Sequence, residues 1–388
     1  MSNITTEAWV IHRGVTNGSP TVKPAELRKE QYSFPSITEN EVLAEPIYGC
    51  WEGNMTHAVE RSPIDICEQR NEEKVVIGNA GVVRILKTGS AVKGVKTGQY
   101  CLVFCNGVWD DLGYPKKIFG YDARNTVGVL ARRMKLHERQ VIPIPKQTKY
   151  SLKQWAAFSL RYITAWANWK LAYGCYTLQF SERDRPPTFV WAWGGGVALA
   201  EAQLAKLAGC EVAMISSNDE RLRLIRKSGI KGIDRRQFSE LDFNQERCRC
   251  EPQKTAYQTA EDKFLSLVKE HTQGHGVSIF IDFIGLPVYR ATLKALARPG
   301  IITTAGWKLG MNLSCLRAIE CMNWHTHVHT HYARYPEGLE AVCFAEEHGW
   351  MPPASEEVFA WDEIPALARK HADGALSTYF PIFQINPA

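Results

Sequence analysis

No stretch of about 18 consecutive apolar residues occurs in this 388-residue chain, so nothing in it reads as a membrane-spanning helix. Met1 to Pro20 is polar and has no apolar core, which argues against a secretory leader. Cysteine supplies no disulfide framework. Eleven residues, an odd number, are scattered between Cys50 and Cys343, the pattern of reduced thiols in a cytoplasmic enzyme. Charge of one sign is never concentrated: the net +5 is spread along the chain, so neither a nucleic-acid tail nor a polybasic membrane anchor is expected. Internal repeats are also missing. What the mild positive balance does suit is a small anionic ligand such as a nucleotide.

The composition that is present, 45% hydrophobic and 22% charged, is ordinary for a globular chain, and the length suggests about two domains. The first ~150 residues predict a β-rich region. Short apolar runs (Ala8–Ile11, Glu41–Pro46, Val75–Leu86, Tyr100–Phe104, Val127–Arg132, Gln140–Pro145) are separated there by Gly, Pro, Asn and Asp. After Pro145 the pattern changes. Ser151 with Gln154 predicts a capping box, and Ser159–Ala172 a second helix. Strand and helix signals then alternate: strands at Thr188–Trp193, Glu211–Ser216, Val277–Phe283, Ile301–Ala305 and near Val328, helices at Val197–Leu207, Asp219–Lys227 and Lys263–His271. Such alternation predicts right-handed βαβ units and a parallel sheet. The polar segment Asp242–Lys263, with Cys248 and Cys250, reads as a surface insertion.

The most informative motif is Trp191-Ala192-Trp193-Gly194-Gly195-Gly196-Val197-Ala198, placed between a predicted strand and a predicted helix. Gly194, Gly195 and Gly196, with Val197 opening the helix, would let backbone N–H groups approach a pyrophosphate. The competing reading is a packing turn, because Ala192 and Ala198 stand where glycines are usual and Trp193 is bulky for a phosphate turn. About 20 residues on, the second strand ends at Ser216 rather than at an acid that would bond a ribose 2′-hydroxyl. Ser216, Ser217, Arg221 and Arg235 are therefore candidates for a 2′-phosphate, which favours NADPH over NADH. Solvated surface arginines are the alternative, and Asp219 and Glu220 work against phosphate.

These residues and several more resemble a zinc-independent medium-chain dehydrogenase/reductase, and within that superfamily the crotonyl-CoA carboxylase/reductases, from roughly residue 40 to 345. The superfamily's Gly-His-Glu zinc segment is matched by Val76–Val83, with no His and no Glu. Its Gly-Phe-Glu-Thr-Asn-Phe-Gly run is similar to Gly120-Tyr121-Asp122-Ala123-Arg124-Asn125-Thr126-Val127-Gly128. Its Thr-Ala-Tyr near the nicotinamide is similar to Thr164-Ala165-Trp166, and its Ser-His-Phe-Ala-Asn-Tyr to Thr330–Tyr335. The resemblance implies an α/β chain: a GroES-like β-rich catalytic domain (1–155 and 340–388), a doubly wound Rossmann domain (156–339), a cleft between them and a homodimer. It also implies hydride transfer from NADPH to the β-carbon of an α,β-unsaturated thioester, carried by coenzyme A or a carrier protein, and then protonation of the enolate. Reductive carboxylation, quinone or enone reduction, and a repurposed relative with a degraded cofactor loop are the alternatives.

By the same resemblance Tyr121, Asp122, His331 and Asn54 become catalytic candidates, and Thr164 a cofactor contact. Tyr121 would stabilise the enolate oxygen, His331 would donate a proton or orient a carbonyl, and Asp122 would orient His331 or a water. A packed aromatic, a structural histidine, a turn cap and a helix-interior threonine are the plain alternatives for Tyr121, His331, Asp122 and Thr164. Asp122 stands where the relatives carry Glu, one methylene longer, which disfavours carboxylation. No metal is expected. Cys101 and Cys105 alone cannot make a four-cysteine zinc site, and Cys50 with His57 lacks a second ligand because Asn79 stands in its place. The run His325-Thr326-His327-Val328-His329-Thr330-His331 would put four imidazoles on one face of a strand, but an edge leading to a single functional His331 is the plainer reading.

Overall fold

The structure is a computed structural model that describes residues 3–14, 23–181, 183–306, 309, 314–354 and 357–388. It divides into two compact units, Met1–Ile163 with Ala333–Ala388, and Thr164–Tyr332.

In the first unit a sheet runs in the order Val141–Pro143, Tyr100–Val103, Gly81–Thr88, Glu41–Cys50, Ile382–Gln384, Val358–Phe359, and Met134–His137 also pairs with Glu41–Cys50. A smaller sheet joins Arg28–Pro35, Asn3–His12 and Lys74–Val75. Alternation positions the core: Val42 and Ala44 point inward from Glu41–Cys50, Val83 and Ile85 from the next strand, and Trp9, Trp51 and Phe383 close the cluster. The C-terminal strand enters antiparallel, with Ile382 opposite Cys50. The helix Leu152–Phe158 starts on the predicted capping box: Gln154 N donates to Ser151 Oγ, and Ser151 N donates to Gln154 Oε1.

The second unit holds a six-stranded sheet, all parallel. Its strands are β1 (Phe189–Trp193), β2 (Glu211–Ser216), β3 (Lys231–Asp234), β4 (Val277–Asp282), β5 (Leu296–Thr303) and β6 (His327–His329). Spatially they run β3-β2-β1-β4-β5-β6. The helices are α1 (Arg161–Thr177, which begins in the first unit), α2 (Gly196–Leu207), α3 (Asp219–Lys227), α4 (Gln253–His271) and α5 (Leu286–Ala295). Strand order reverses at β1, whose neighbours are β2 and β4, so the crevice at its carboxyl end is the switch point of a doubly wound sheet.

Three readings of the sequence are corrected. Val127–Arg132 is not a strand; it makes only isolated bridges, Val76 to Val127 and Ala8 to Ala131. Asp242–Lys263 is not a surface insertion throughout, because α4 starts at Gln253 and buries Tyr257, Ala260, Glu261, Phe264 and Val268. Those residues recur at helical spacing, and burying each large apolar side chain is worth about 1.5–3 kcal/mol, which outweighs the polar composition between them. The histidine run forms a strand only over His327–His329. His325 adopts a left-handed backbone (φ 50°) with its Nε2 3.1 Å from Arg298 Nη2, and His331 lies past the strand end.

Candidate functional site

The glycine turn sits at the switch point. Gly194 has φ +139°, a conformation that side chains resist, and a Cβ there would lie 3.0 Å from Phe283 Cβ and 3.1 Å from Ala198 Cβ. Ala198 thus packs under the turn, which accounts for a small residue other than glycine at that place. Gly195 is different. It is exposed, has an ordinary φ of −99°, and nothing lies within 4 Å of where its Cβ would stand. It is the N-cap of α2, followed by buried Gly196 and half-buried Val197. Space is therefore open beside the N-terminus of α2, the positive end of the helix, whose first amides have no partner within the helix.

Trp193 does not enter this space. Its ring is 1% exposed and stacks on Phe280 at 5.9 Å, within the core that also holds Trp191, Phe238 and Phe264. Trp193 Nε1 donates to Thr292 Oγ1 (3.0 Å), and Thr292 Oγ1 donates to Asp282 Oδ2 (3.2 Å). Asp282 Oδ1 accepts from Ile284 N and Gly285 N at the end of β4. Burial pushes the Asp282 carboxyl up, while these donors hold it down. The chain from Trp193 to Asp282 fixes the indole behind the turn and the β4 end beside it. Sequence reasoning missed it because Thr292 and Asp282 reach Trp193 only through the fold.

On the β2 side, Ser216 is buried and its Oγ accepts from Asn218 N; Ser217 is exposed, and Arg221 is half-exposed. Arg235 is spoken for: Nη2 donates to Leu241 O (3.2 Å) and the guanidinium lies over the Trp193 ring. Asp219 and Asp234 are engaged by Arg236, which holds both carboxyls below the usual range. Thr164 is half-buried near the start of α1. His331 lies past β6, where its N–H donates to Asn168 Oδ1 (2.8 Å). Inside α2, Glu201 is fully buried with neither carboxyl oxygen hydrogen-bonded, and burial pushes its pKa well above the usual carboxylate range.

Tyr121, Asp122 and Asn54 belong to the first unit. Gly120, at φ +61°, lets the loop cross Gly78 so closely that a Cβ would meet its carbonyl oxygen at 2.2 Å. Buried Arg70 pins the same loop, donating to Tyr121 O and Thr126 O while paired with Glu72. Tyr121 packs against the unit's core. The Asp122 carboxylate caps its own turn, accepting from Ile118 N (2.6 Å), and lies 3.4 Å from Lys117 Nζ. Asn54, on the helix Gly53–Glu60, has a buried Oδ1 with no hydrogen-bond partner. A cavity of about 330 Å³ in this unit is walled by Phe104, Trp109, Leu112, Arg139 and Tyr335, and none of the candidate residues lines it.

Beside Asn54 lies a cluster that the sequence reading did not find. Arg161 Nη1 donates to Cys50 Sγ (2.5 Å) and lies 2.8 Å from Glu52 Oε1, and Nη2 donates to Trp51 O (2.8 Å). All of it is buried. Burial pushes the Cys50 thiol up to about 12 and Glu52 up to about 7, even with Arg161 opposing. Asn79 is 0% exposed with neither amide atom hydrogen-bonded. This donor set does not fit a catalytic zinc, because a guanidinium already supplies the cation at Cys50 and Asn79 offers only an amide. An arginine inside the apolar run Phe158–Ile163 was the available signal, since such a charge requires a buried partner.

A β-rich unit and a parallel sheet of order 3-2-1-4-5-6 with a glycine turn at its switch point make up the two-domain α/β fold that the medium-chain dehydrogenase/reductases share. Among proteins of known function, the chain is similar to a crotonyl-CoA carboxylase/reductase of Cereibacter sphaeroides, with 22% identity over 382 residues covering 94% of this chain and 84% of that one. A solved crotonyl-CoA carboxylase/reductase superposes with a TM-score of 0.79 at 21% identity, covering 98% of this chain and 88% of the other. A 2-octenoyl-CoA carboxylase reductase, solved with NADP and 2-octenoyl-CoA, gives 0.78 at 17% identity, covering 98% and 87%. No protein-family model matches the chain.

Proposed function

We propose that this chain is an NADPH-dependent oxidoreductase that reduces the double bond of an α,β-unsaturated acyl thioester. The observation that carries the reading is the open turn at Gly195: no atom lies within 4 Å of where its Cβ would stand, and Trp193 beside it is held in the core. Bound NADPH would supply a hydride to the thioester's β-carbon. The residues to hold it are Gly194, Gly195, Gly196 and Val197 at the pyrophosphate, Ser217 and Arg221 at the 2′-phosphate, and Thr164 at the nicotinamide side. Ser216, whose hydroxyl serves its own turn, and Arg235, held by Leu241 and Trp193, have the weaker claim.

Tyr121 would donate a hydrogen bond to the developing enolate oxygen, and His331 would return a proton to the α-carbon. Asn54 has a buried acceptor free for a polar substrate group. Asp122 is occupied at Ile118 and Lys117, which favours protonation over carboxylation of the enolate. Coenzyme A fits the relatives' chemistry, and a carrier-bound acyl group presents the same thioester.

Melting the protein with NADPH or NADH, and then assaying crotonyl-CoA with NADPH and labelled bicarbonate, tests the reading. NADPH at 100 times its Kd should add about 2.7 kcal/mol of stability. NADH should add far less, and oxidation of NADPH should depend on crotonyl-CoA and leave no label in the product. No shift with NADPH would end the proposal, and labelled product would make the chain a reductive carboxylase.

We also propose a cytoplasmic homodimer. No helix among the described residues is long and apolar enough to cross a membrane. On β6 and in the segment that leads into it, Leu316, Ile319, Met322, Trp324 and Val328 are all exposed, apolar surface that a second copy of the chain would cover. Light scattering should return twice the chain mass, and Ile319→Lys with Val328→Lys should halve it; a wild-type monomer at micromolar concentration refutes this.

A further inference from the structure

The geometry points to a second site, unrelated to the glycine turn: a transition-metal site made by Cys175 of α1 with His327 and His329 of β6. One ligand atom from each of the three, the cysteine Sγ and a ring nitrogen of each histidine, lies within 4.8 Å of the other two. Three features of the fold bring them together. His327 and His329 are two apart on one strand and therefore share a face, and their rings lie parallel, tilted by 10°, with centroids 6.0 Å apart. Cys175 comes from a helix of the same unit, 152 positions earlier in the chain than His327, so the cluster is tertiary and not a by-product of local composition. His329 Nε2 is buried and has no hydrogen-bond partner, so a ring nitrogen that can ligate is held out of water with neither a donor nor an acceptor beside it.

A thiolate with two imidazoles selects a borderline-soft ion and disfavours Mg²⁺ or Ca²⁺, which want oxygen. Zn²⁺ fits best. Its bonds of about 2.0–2.1 Å to nitrogen and about 2.3 Å to sulfur would draw the three atoms in from the 4.8 Å within which they now lie, by up to about 1.5 Å. His327 is exposed, so the fourth tetrahedral position opens to solvent and would hold water. Binding releases the Cys175 thiol proton to solvent. The ion would tie the last turn of α1 to β6, an edge strand of the described residues that pairs through Ile301 to His327, Ile302 to Val328 and Thr303 to His329. His325 and His331 lie off the strand and take no part.

Co²⁺ is the probe, because a thiolate–cobalt bond has its own near-ultraviolet charge-transfer band and a tetrahedral site its own visible bands. The full chain, reduced and stripped of metal, is titrated with Co²⁺ and then with Zn²⁺. Both bands should saturate at one equivalent and be displaced by Zn²⁺. Cys175→Ser should abolish the charge-transfer band. His327→Ala and His329→Ala should each weaken binding about 100-fold or more, since losing even an outer partner costs 10–100-fold. His325→Ala and Cys321→Ser should change nothing. The idea is overturned if the unmodified protein shows no thiolate–cobalt band, or if that band survives Cys175→Ser. None of these readouts involves NADPH, so failure here leaves the reductase proposal standing, and the reverse.

Discussion

Arg161→Met should lower the melting temperature by about 10 °C. Removing one partner of a buried ion pair typically costs about 3–5 kcal/mol. At roughly 2–4 °C per kcal/mol for a unit of this size, the shift follows. Arg161 is the shared cation of Glu52, the Cys50 sulfur and the Trp51 carbonyl, so its loss strands three groups where water cannot reach. The pH dependence identifies the cause. Glu52 titrates at about 7 in the fold, against roughly 4.3 in an unfolded chain. A carboxyl raised in this way contributes its full stability below about 4.3 and loses it as pH rises through 7. Without Arg161 the folded value rises further and the loss extends to higher pH, so the deficit, present at pH 5 from the stranded Cys50 and Trp51 groups, should be larger at pH 8. Glu52→Gln added to Arg161→Met should recover most of it at pH 8. A deficit equal at the two pH values, or a double variant no better than the single one, would remove Glu52 from the explanation.

Gly195→Asp should keep the fold and lose the cofactor. At Gly195 φ is −99° and a Cβ would meet no atom, but ψ of −143° lies outside the usual α and β regions, so a side chain there costs about 1–3 kcal/mol and the melting temperature without ligand should fall only modestly. The carboxylate would project into the space where a pyrophosphate would lie and repel it. NADPH affinity should fall at least 100-fold, about 2.7 kcal/mol, and turnover with it. Gly194→Val supplies the contrast: at φ +139° and with 3.0 Å to Phe283, it should disturb the fold as well as the site. Calorimetric titration that finds Gly195→Asp binding NADPH as tightly as the parent chain would move the phosphate away from this turn.

What the sequence revealed of this protein was mostly what neighbours in the chain decide. The helix Asp219–Lys227 was legible to the residue, since Asn218 caps it and Arg226 and Lys227 close it. The parallel sheet followed from alternating strand and helix signals, and the turn from three glycines between them. Long-range pairing was not legible. Arg161 meets Cys50 across 111 positions, and the partners that turn Trp193 into the core lie far along the chain. The strand Arg28–Pro35 escaped notice because it is an edge strand, mostly exposed, whose alternation is written in charged residues. For His327 and His329 the spacing was visible, but nothing local named Cys175 as the third member.

The unpaired acid in α2 bears on the turn before it. Ionised, Glu201 would set a negative charge less than two helical turns behind the amides at Gly195 and Gly196 and cancel part of the attraction they offer an anion. Burial pushes its pKa well above the usual carboxylate range and so works against that charge, leaving the positive end of the helix less opposed. The buried carboxyl thereby links the electrical bias of that helix end to the integrity of the core: a charge at Glu201 would loosen the packing and weaken an anion's attraction to the turn together.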